Sequence, residues 1–379
     1  MKANTIAFLT TSHLPFDDRI YYHMAKSLSK FYSLVIVATT QNIRESFENI
    51  EVVADDKSNS SKRDKIEYLL TALKDYNPQI IICSEPLTII AAKKYIRAID
   101  KRIKIIYDVT EWYPSKKNLD GKSIPIKYFI FFKLLIFNIF SSSFADGFIF
   151  GEYHKSLPYR FLYPFKKWVT ISYYPDLNYI NFKKATANLK SICLGFTGKI
   201  NNEKGIKNVV EVAKCIKGKK PECEVKLKIV GWFANKKDEI SFTQLRNETA
   251  NIDIELIGKQ DFMKFSEKLQ DIDVFFDLRK IDFENNRCLP IKLFYYMACG
   301  RPVIYSDLEA IRREVDVSQF GYLVEPDDAD IISDYVIHYM DCPEIFLRHG
   351  YRAREMAEST YNWHKIEPIF LNYIKLYQI

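Results

Sequence analysis

Short runs of β-branched and aromatic residues alternate with longer stretches whose apolar positions recur every three to four residues, along nearly the whole chain. The short runs predict strands and the longer ones amphipathic helices. In the first half, strands are expected over residues 5–10, 34–39, 50–53, 79–83, 104–108 and 147–150, with helices over 19–31, 62–76 and 88–99. The second half repeats the rhythm. Strands are expected over 192–197, 226–230, 254–257, 274–277, 303–305 and 322–324, and helices over 205–216, 291–298 and 329–340. Apolar strands alternating with helices read as parallel sheets covered on both faces, an α/β fold.

A length of 379 residues fits two domains of ordinary size. The pattern divides them into an N-terminal domain over 1–174, a linker over 175–190 opened by a Tyr-Pro-Asp turn, and a C-terminal domain over 191–358. A last amphipathic helix over 359–379, carrying Trp363, Ile366, Phe370 and Tyr373 at helical spacing, is expected to pack back towards the N-terminal domain. One stretch, 124–140 (IPIKYFIFFKLLIFNIF), is apolar nearly all round. Lys127, Lys133 and Asn138 interrupt it and leave too short a clean run to span a bilayer. Either it is buried against the sheet, or its outer face lies in a membrane surface with basic residues on the headgroups; membrane contact is the reading preferred here.

Glycine positions locate the phosphate chemistry. Of twelve glycines, Gly121, Gly147 and Gly151 lie in the first half and nine lie from Gly195 onward. The first strand runs into Ser12-His13-Leu14-Pro15 without glycine, so a dinucleotide cradle is not expected there. The first strand of the second half ends in Gly198-Lys199 and reaches a helix through Lys204-Gly205. Two lysines bracketing a strand-to-helix turn, with the helix N-terminus behind them, would hold a diphosphate. The alternative is a tight turn with two solvated lysines.

Charge and cysteine content add little. There are 55 Lys+Arg against 48 Asp+Glu, a net charge of +7, which suits an anionic partner without naming one. No basic stripe with interleaved aromatics is present, so nucleic acid is not expected as a partner. Seven scattered cysteines without zinc-ligand spacing read as free thiols of a reducing compartment, and the opening residues as a strand and not a signal peptide.

The order of motifs resembles the family-4 glycosyltransferases, retaining enzymes of the GT-B fold. Gly198-Lys199…Lys204-Gly205 resembles that family's Gly-Arg…Lys-Gly element, with lysine in place of arginine. Residues 290–304 (PIKLFYYMACGRPVI) resemble its Pro-x-Lys-Leu-Phe-Glu-Tyr-Met-Ala-x-Gly-x-Pro-Val-Ile signature. Gly321-Tyr322-Leu323-Val324 with Asp327-Asp328, and Tyr361-Asn362-Trp363, are similar to its C-terminal pattern. His13-x-Pro15-x-Asp17-x-Arg19 and Asp108-x-x-Glu111-Trp112-Tyr113-Pro114 look like one bacterial branch of it. Two departures stand out. The family carries two glutamates eight positions apart, one for the donor sugar and one for the ribose, where this chain has Arg287 and Tyr295. Thr110 stands where the branch tends to have histidine.

The resemblance implies two Rossmann-like domains facing across a cleft, with transfer of a sugar from a UDP- or GDP-sugar to a growing bacterial cell-surface glycan of capsule, O-antigen or exopolysaccharide type. The nucleotide-sugar is a substrate; no metal and no separate cofactor are expected. Donor binding then falls to Gly198, Lys199, Lys204, Arg287, Lys292, Tyr295 and Glu284, and acceptor binding to His13, Asp17, Arg19, Thr110 and Glu111. Lys199 and Lys204, facing the leaving phosphate, and Asp17 and Glu111, facing the acceptor, are the candidate catalytic groups. Structural readings stand beside these: Asp17 and Arg19 as helix cap and local ion pair, His13 as a turn residue. A lipid-linked acceptor and a cytoplasmic site on the inner membrane face complete the expectation. The alternatives are a degenerate relative that binds without turnover, and a nucleotide-sugar epimerase.

Overall fold

The computed structural model describes residues 5–99, 102–186, 190–249 and 251–378. Two compact units divide the chain: Met1–Tyr173 with Ile366–Ile379, and Tyr174–Lys365. The expected linker is therefore part of the second unit, where Ile180 and Ala185 are buried; its residues 187–189 lie outside the described ones.

The first unit contains β1 (Thr5–Thr10), β2 (Ser33–Ala38), β3 (Ile43–Phe47), β4 (Ile50–Ala54), β5 (Ile80–Cys83), β6 (Lys104–Val109), β7 (Gly147–Phe150) and β8 (Lys167–Thr170). They form one sheet in the order β3-β4-β2-β1-β5-β6-β7-β8. Every pairing is parallel except β3 with β4. The central strands β1, β5 and β6 are nearly solid apolar runs because helices cover both faces, with Lys62–Tyr76 and Pro86–Ala98 packed on one of them. The polar strand β3 escaped the sequence pattern because it is an exposed edge, folded onto β4 through a left-handed Glu48 at φ 51°.

The second unit contains β9 (Ser191–Lys199), β10 (Glu224–Trp232), β11 (Asp253–Ile257), β12 (Val274–Asp277), β13 (Val303–Ser306) and β14 (Gly321–Val324). Its sheet is wholly parallel, in the order β11-β10-β9-β12-β13-β14. Separate hydrophobic cores lie on its two faces. The α/β reading with two parallel-sheet domains is thus borne out.

In each sheet the chain starts in the middle, winds to one side and then returns to wind to the other. The reversal falls between β1 and β5 in the first unit and between β9 and β12 in the second. Crevices outside the carboxyl ends of strands at such reversals are where open α/β sheets bind ligands. The last helix, Trp363–Lys375, starts in the second unit and ends in the first. There Phe370 and Ile374 are fully buried, and the Tyr373 hydroxyl donates to Lys167 O at 3.0 Å.

One glycine is irreplaceable for the second sheet. Gly205, at φ +85°, passes the chain from β9 into the helix Ile206–Lys219, and a Cβ there would lie 2.0 Å from Leu278 O. Backbone cannot yield as a side-chain tip can, so Gly205→Ala combines left-handed strain with a clash. The variant is expected to lose about 2 kcal/mol or more of stability, read as a lowered Tm by circular dichroism. An unchanged Tm would contradict this account of the turn.

Candidate active site

In the second unit, the β9–β12 reversal is organised by a carboxylate with no access to water. Asp277 closes β12 with 0% exposure. Arg279 grips it through Nε at 2.7 Å and Nη2 at 2.5 Å. Lys292, on the helix Ile291–Ala298, reaches its Oδ2 at 2.9 Å and donates to Thr197 O at 2.8 Å. These cations outweigh the desolvation and hold the Asp277 carboxyl well below its usual range. Tyr296 supports the arrangement from below, stacked on Phe275 and sharing a hydrogen bond with Thr197 Oγ1 at 2.6 Å.

The sheet thereby brings Gly198, Lys199, Lys204 and Lys292 to one end. Gly198 turns at φ +95°, and a Cβ there would sit 3.7 Å from Lys292. Asn201 fixes the turn by accepting from the Lys204 amide at 2.9 Å. Lys204 Nζ meets Asn285 Oδ1 at 3.5 Å. Burial and the neighbouring Arg279 push the Lys204 ammonium down from its ordinary value. Lys292 is pushed down to about 8, chiefly by burial, against the pull of Asp277. Three cations thus crowd one buried carboxylate, a surplus of positive charge that an anion would relieve.

The other expected donor residues are not gathered in this way. Arg287 folds back on its own helix, donating to Phe283 O at 3.2 Å with its guanidinium 4.1 Å over the Phe283 ring. Glu284 sits on that same short helix, Phe283–Asn286. Tyr295, also expected at the donor, is 5% exposed, and its ring packs edge-on against Phe262 and Phe265. Asp277 and Arg279 were not singled out from the sequence. Their signal is a charged pair closing an apolar strand, Phe275-Phe276-Asp277-Leu278-Arg279.

In the first unit, the β1–β5 reversal holds an acidic cluster around one histidine. Glu85 bridges the two strands, accepting from Thr10 Oγ1 (2.8 Å), the Thr11 and Ser12 amides (3.0 and 3.2 Å) and Ser12 Oγ (2.5 Å). Sequence reading missed it, although Ser84-Glu85-Pro86 between a strand and a helix marks a capping position. His13 Nδ1 lies 3.4 Å from Asp17 Oδ2, and Nε2 lies 3.3 Å from Thr110 Oγ1 and 4.0 Å from Glu85. Burial disfavours the imidazolium, but the hydrogen bond to Asp17 and the charges of Asp17, Glu85 and Glu111 outweigh it and raise His13 to about 9. At neutral pH it is a cation, unsuited to act as a base. Asp17 also caps the helical segment Asp18–Ala25.

Arg19 is corrected from acceptor contact to support. It is 4% exposed, grips Asp108 with two 2.8 Å bonds, donates to Ile171 O at 2.8 Å and lies 4.6 Å from the Tyr173 ring centre. Thr110 is anchored through its carbonyl, which accepts from Lys155 and Tyr173. Beside this cluster a cavity of about 290 Å³ is lined by Ser12, Glu85, Thr110, Glu111 and Trp112 on one side, and Lys62, Lys65 and Phe137 on another. A larger hollow of about 680 Å³ opens at the amino ends of β9, β10 and β11, where Arg301 of the 290–304 stretch joins its lining.

Residues 191–341 match the family described as glycosyl transferases, group 1. The chain has the GT-B glycosyltransferase fold. Solved structures agree along the whole length. Sucrose-phosphate synthase from Thermosynechococcus elongatus is similar at a TM-score of 0.76 with 14% identity, over 99% of either chain. Anabaena HepE, solved with UDP-glucose, is similar at 0.69 with 12% identity, over 98% of this chain and 99% of that one. A glycosyltransferase from Rickettsia africae is similar at 0.67 with 12% identity, over 100% and 99%. No match to a curated protein sequence was found. The expected GT-B architecture is therefore borne out, and the matched family covers the domain that carries Lys199, Lys204 and Lys292.

The raised pKa of His13 has a measurable consequence. Folding lifts the imidazole from 6.5 to about 9, so its stabilising contribution is complete below about pH 6.5 and is lost as pH rises through 9. The Tm difference between wild type and His13→Gln should shrink across that window. A difference constant from pH 6 to 10 would mean that His13 is not charged in the folded protein.

Proposed function

We propose that the chain is a nucleotide-sugar-dependent hexosyltransferase that extends a bacterial cell-surface glycan, most simply with retention at the anomeric carbon. The observation that carries the reading is the cationic surplus of Lys204, Arg279 and Lys292 about Asp277, at the strand reversal of the domain matched to glycosyl transferases. When the sugar C1–oxygen bond breaks, the departing nucleotide diphosphate gains charge, and fixed cations stabilise that charge most where water is excluded. Lys199 and Lys204 with the helix start at Gly205 are proposed to meet the phosphates. UDP-glucose in Anabaena HepE makes a UDP-sugar the first donor to test, with a GDP-sugar beside it.

On the first unit, the cluster of His13, Asp17, Glu85 and Glu111 is proposed to receive the acceptor hydroxyl. A protonated His13 would act by orienting and by donating, while Glu111, exposed on the cavity wall, is the group placed to accept a proton. The acceptor is proposed to be a lipid-linked glycan met at the cytoplasmic face of the cell membrane.

The degenerate alternative draws on Arg287 and Tyr295, which leave two signature carboxylates unreplaced in kind. Thermal shift with UDP-, GDP- and ADP-sugars, followed by donor turnover with and without acceptor glycan, separates the readings. A raised Tm with acceptor-dependent turnover supports the transferase. Binding without turnover supports the degenerate form, and turnover without acceptor an epimerase or hydrolase. Lys199→Ala and Lys204→Ala are each expected to weaken donor binding by about 1.5–3 kcal/mol, the scale of a charge-assisted hydrogen bond. Donor affinity should also fall as pH passes about 8, where Lys292 gives up its proton. Unchanged affinity in the double lysine variant would rule the assignment out.

A further inference from the structure

The stretch expected as one unusually apolar helix is the helix Ile124–Ser142, and it is not core. Among the described residues it is the one helix long and apolar enough to cross a bilayer by length and composition, with a mean hydropathy of 1.6. Its place in the first unit argues against crossing. Asn138 is buried and donates to the Tyr159 hydroxyl at 2.9 Å and to Tyr113 O at 3.2 Å, so its last turns are bonded into the fold. What remains uncovered is its outer face, where Tyr128, Phe129, Phe132, Ile136 and Phe140 stand exposed at helical spacing, Phe129 at 69%.

A second apolar group, absent from the sequence expectation, adjoins it. The last turn of the helix Tyr153–Leu162 and the link from it to β8 present Phe161 at 85% and Phe165 at 99% exposure, with Trp168 beyond them. Tyr163 donates to Ile139 O at 2.5 Å, and Lys166 donates to Ser143 O and Ala145 O at 2.6 Å, which ties this turn to the end of the apolar helix. Solvent-exposed phenylalanines on two joined elements are uncommon on a protein that stays in water.

Charge says what covers them. From Gly121 to Thr170 the chain has seven Lys and Arg but two acids, Asp146 and Glu152. Both acids are engaged: Glu152 is buried against Lys155 at 2.8 Å, and Asp146 holds the Ile105 amide at 2.9 Å with Lys104 nearby. Exposed Lys122, Lys133 and Lys167 are thus interleaved with the apolar residues. Aromatic side chains among lysines match the interface of an anionic bilayer, where rings enter the headgroup boundary and ammonium groups meet phosphate. Phe137 of the same helix lines the 290 Å³ cavity beside Glu85 and Glu111.

We infer that the helix Ile124–Ser142 and the Phe161–Phe165 turn together form a docking surface for anionic lipid, which brings the proposed acceptor cavity to the membrane. The inference rests on the transferase reading only for its purpose; the surface binds lipid whether or not the enzyme turns over.

Co-sedimentation of the full chain with phosphatidylcholine vesicles, with and without 30% phosphatidylglycerol, is the test. Binding is expected with anionic vesicles, much reduced in 0.5 M salt. Phe129→Ser/Phe132→Ser and, separately, Phe161→Ser/Phe165→Ser are each expected to lower the partition coefficient at least tenfold. Circular dichroism and the Tm shift given by a nucleotide-sugar, measured without vesicles, confirm that each variant is folded. Wild type left in the supernatant, or both folded variants binding as well as wild type, overturns the docking surface. So does a dimer in sedimentation equilibrium that the phenylalanine variants abolish without any vesicle binding, which would make a second copy the occupant. Vesicle binding without any response to nucleotide-sugars would leave the docking surface standing and remove the transferase reading instead.

Discussion

A carboxylate fully removed from water has to be neutralised, and at Asp277 that requirement shapes the whole strand reversal of the second unit. Unpaired, its burial would cost several kcal/mol. Arg279 supplies a two-pronged grip from two residues along the chain, and Lys292 reaches it from the next helix while holding Thr197 O. One buried charge thereby locks β9, β12 and the helix Ile291–Ala298 into register at their functional ends. The neutralisation overshoots, because Lys204 adds a further cation whose charge is already disfavoured by burial and by Arg279. A site built this way is stable without a ligand and still electrostatically hungry for an anion.

The first unit uses the same device with a different outcome. Arg19 and Asp108 form a buried, bidentate pair that ties the segment after β1 to the end of β6. Here the surplus has the opposite sign: Asp17, Glu85 and Glu111 surround His13 and hold it protonated. Each unit thus has a closed ion pair that sets geometry and, next to it, an unbalanced group of charges available for chemistry. Residues of the first kind look catalytic in a sequence because they are charged and close to motifs. Burial and saturated hydrogen bonds are what separate Arg19 from His13.

That distinction explains what could be read before the fold was known. Nearly solid apolar runs such as Ile80–Cys83 and Val274–Asp277 are legible because covered parallel strands admit little else. Gly198 and Gly205 were legible because left-handed turns and a close approach to Leu278 leave few alternatives. Glu85 and Asp277 were not, because a single acid at the end of a strand looks like any turn residue until the neighbouring strand is in place. The edge strand β3 and the exposed Phe161–Phe165 turn fail for a related reason: neither repeats a buried face, so no period marks them.

The two departures from the glutamate pattern acquire a physical meaning from their placement. Replacing a carboxylate by Tyr295 puts an aromatic ring into the core with Phe262 and Phe265, where a glutamate would have carried a charge at considerable cost. Arg287 turns a second expected negative position into a cation, held for the present over Phe283. The chain thereby lacks the two carboxylates that the family resemblance assigns to the donor sugar and the ribose. On the transferase reading proposed above, discrimination among donors falls to groups other than that pair, and Glu284, on the short helix beside Arg287, is the nearest carboxylate along the sequence to either position.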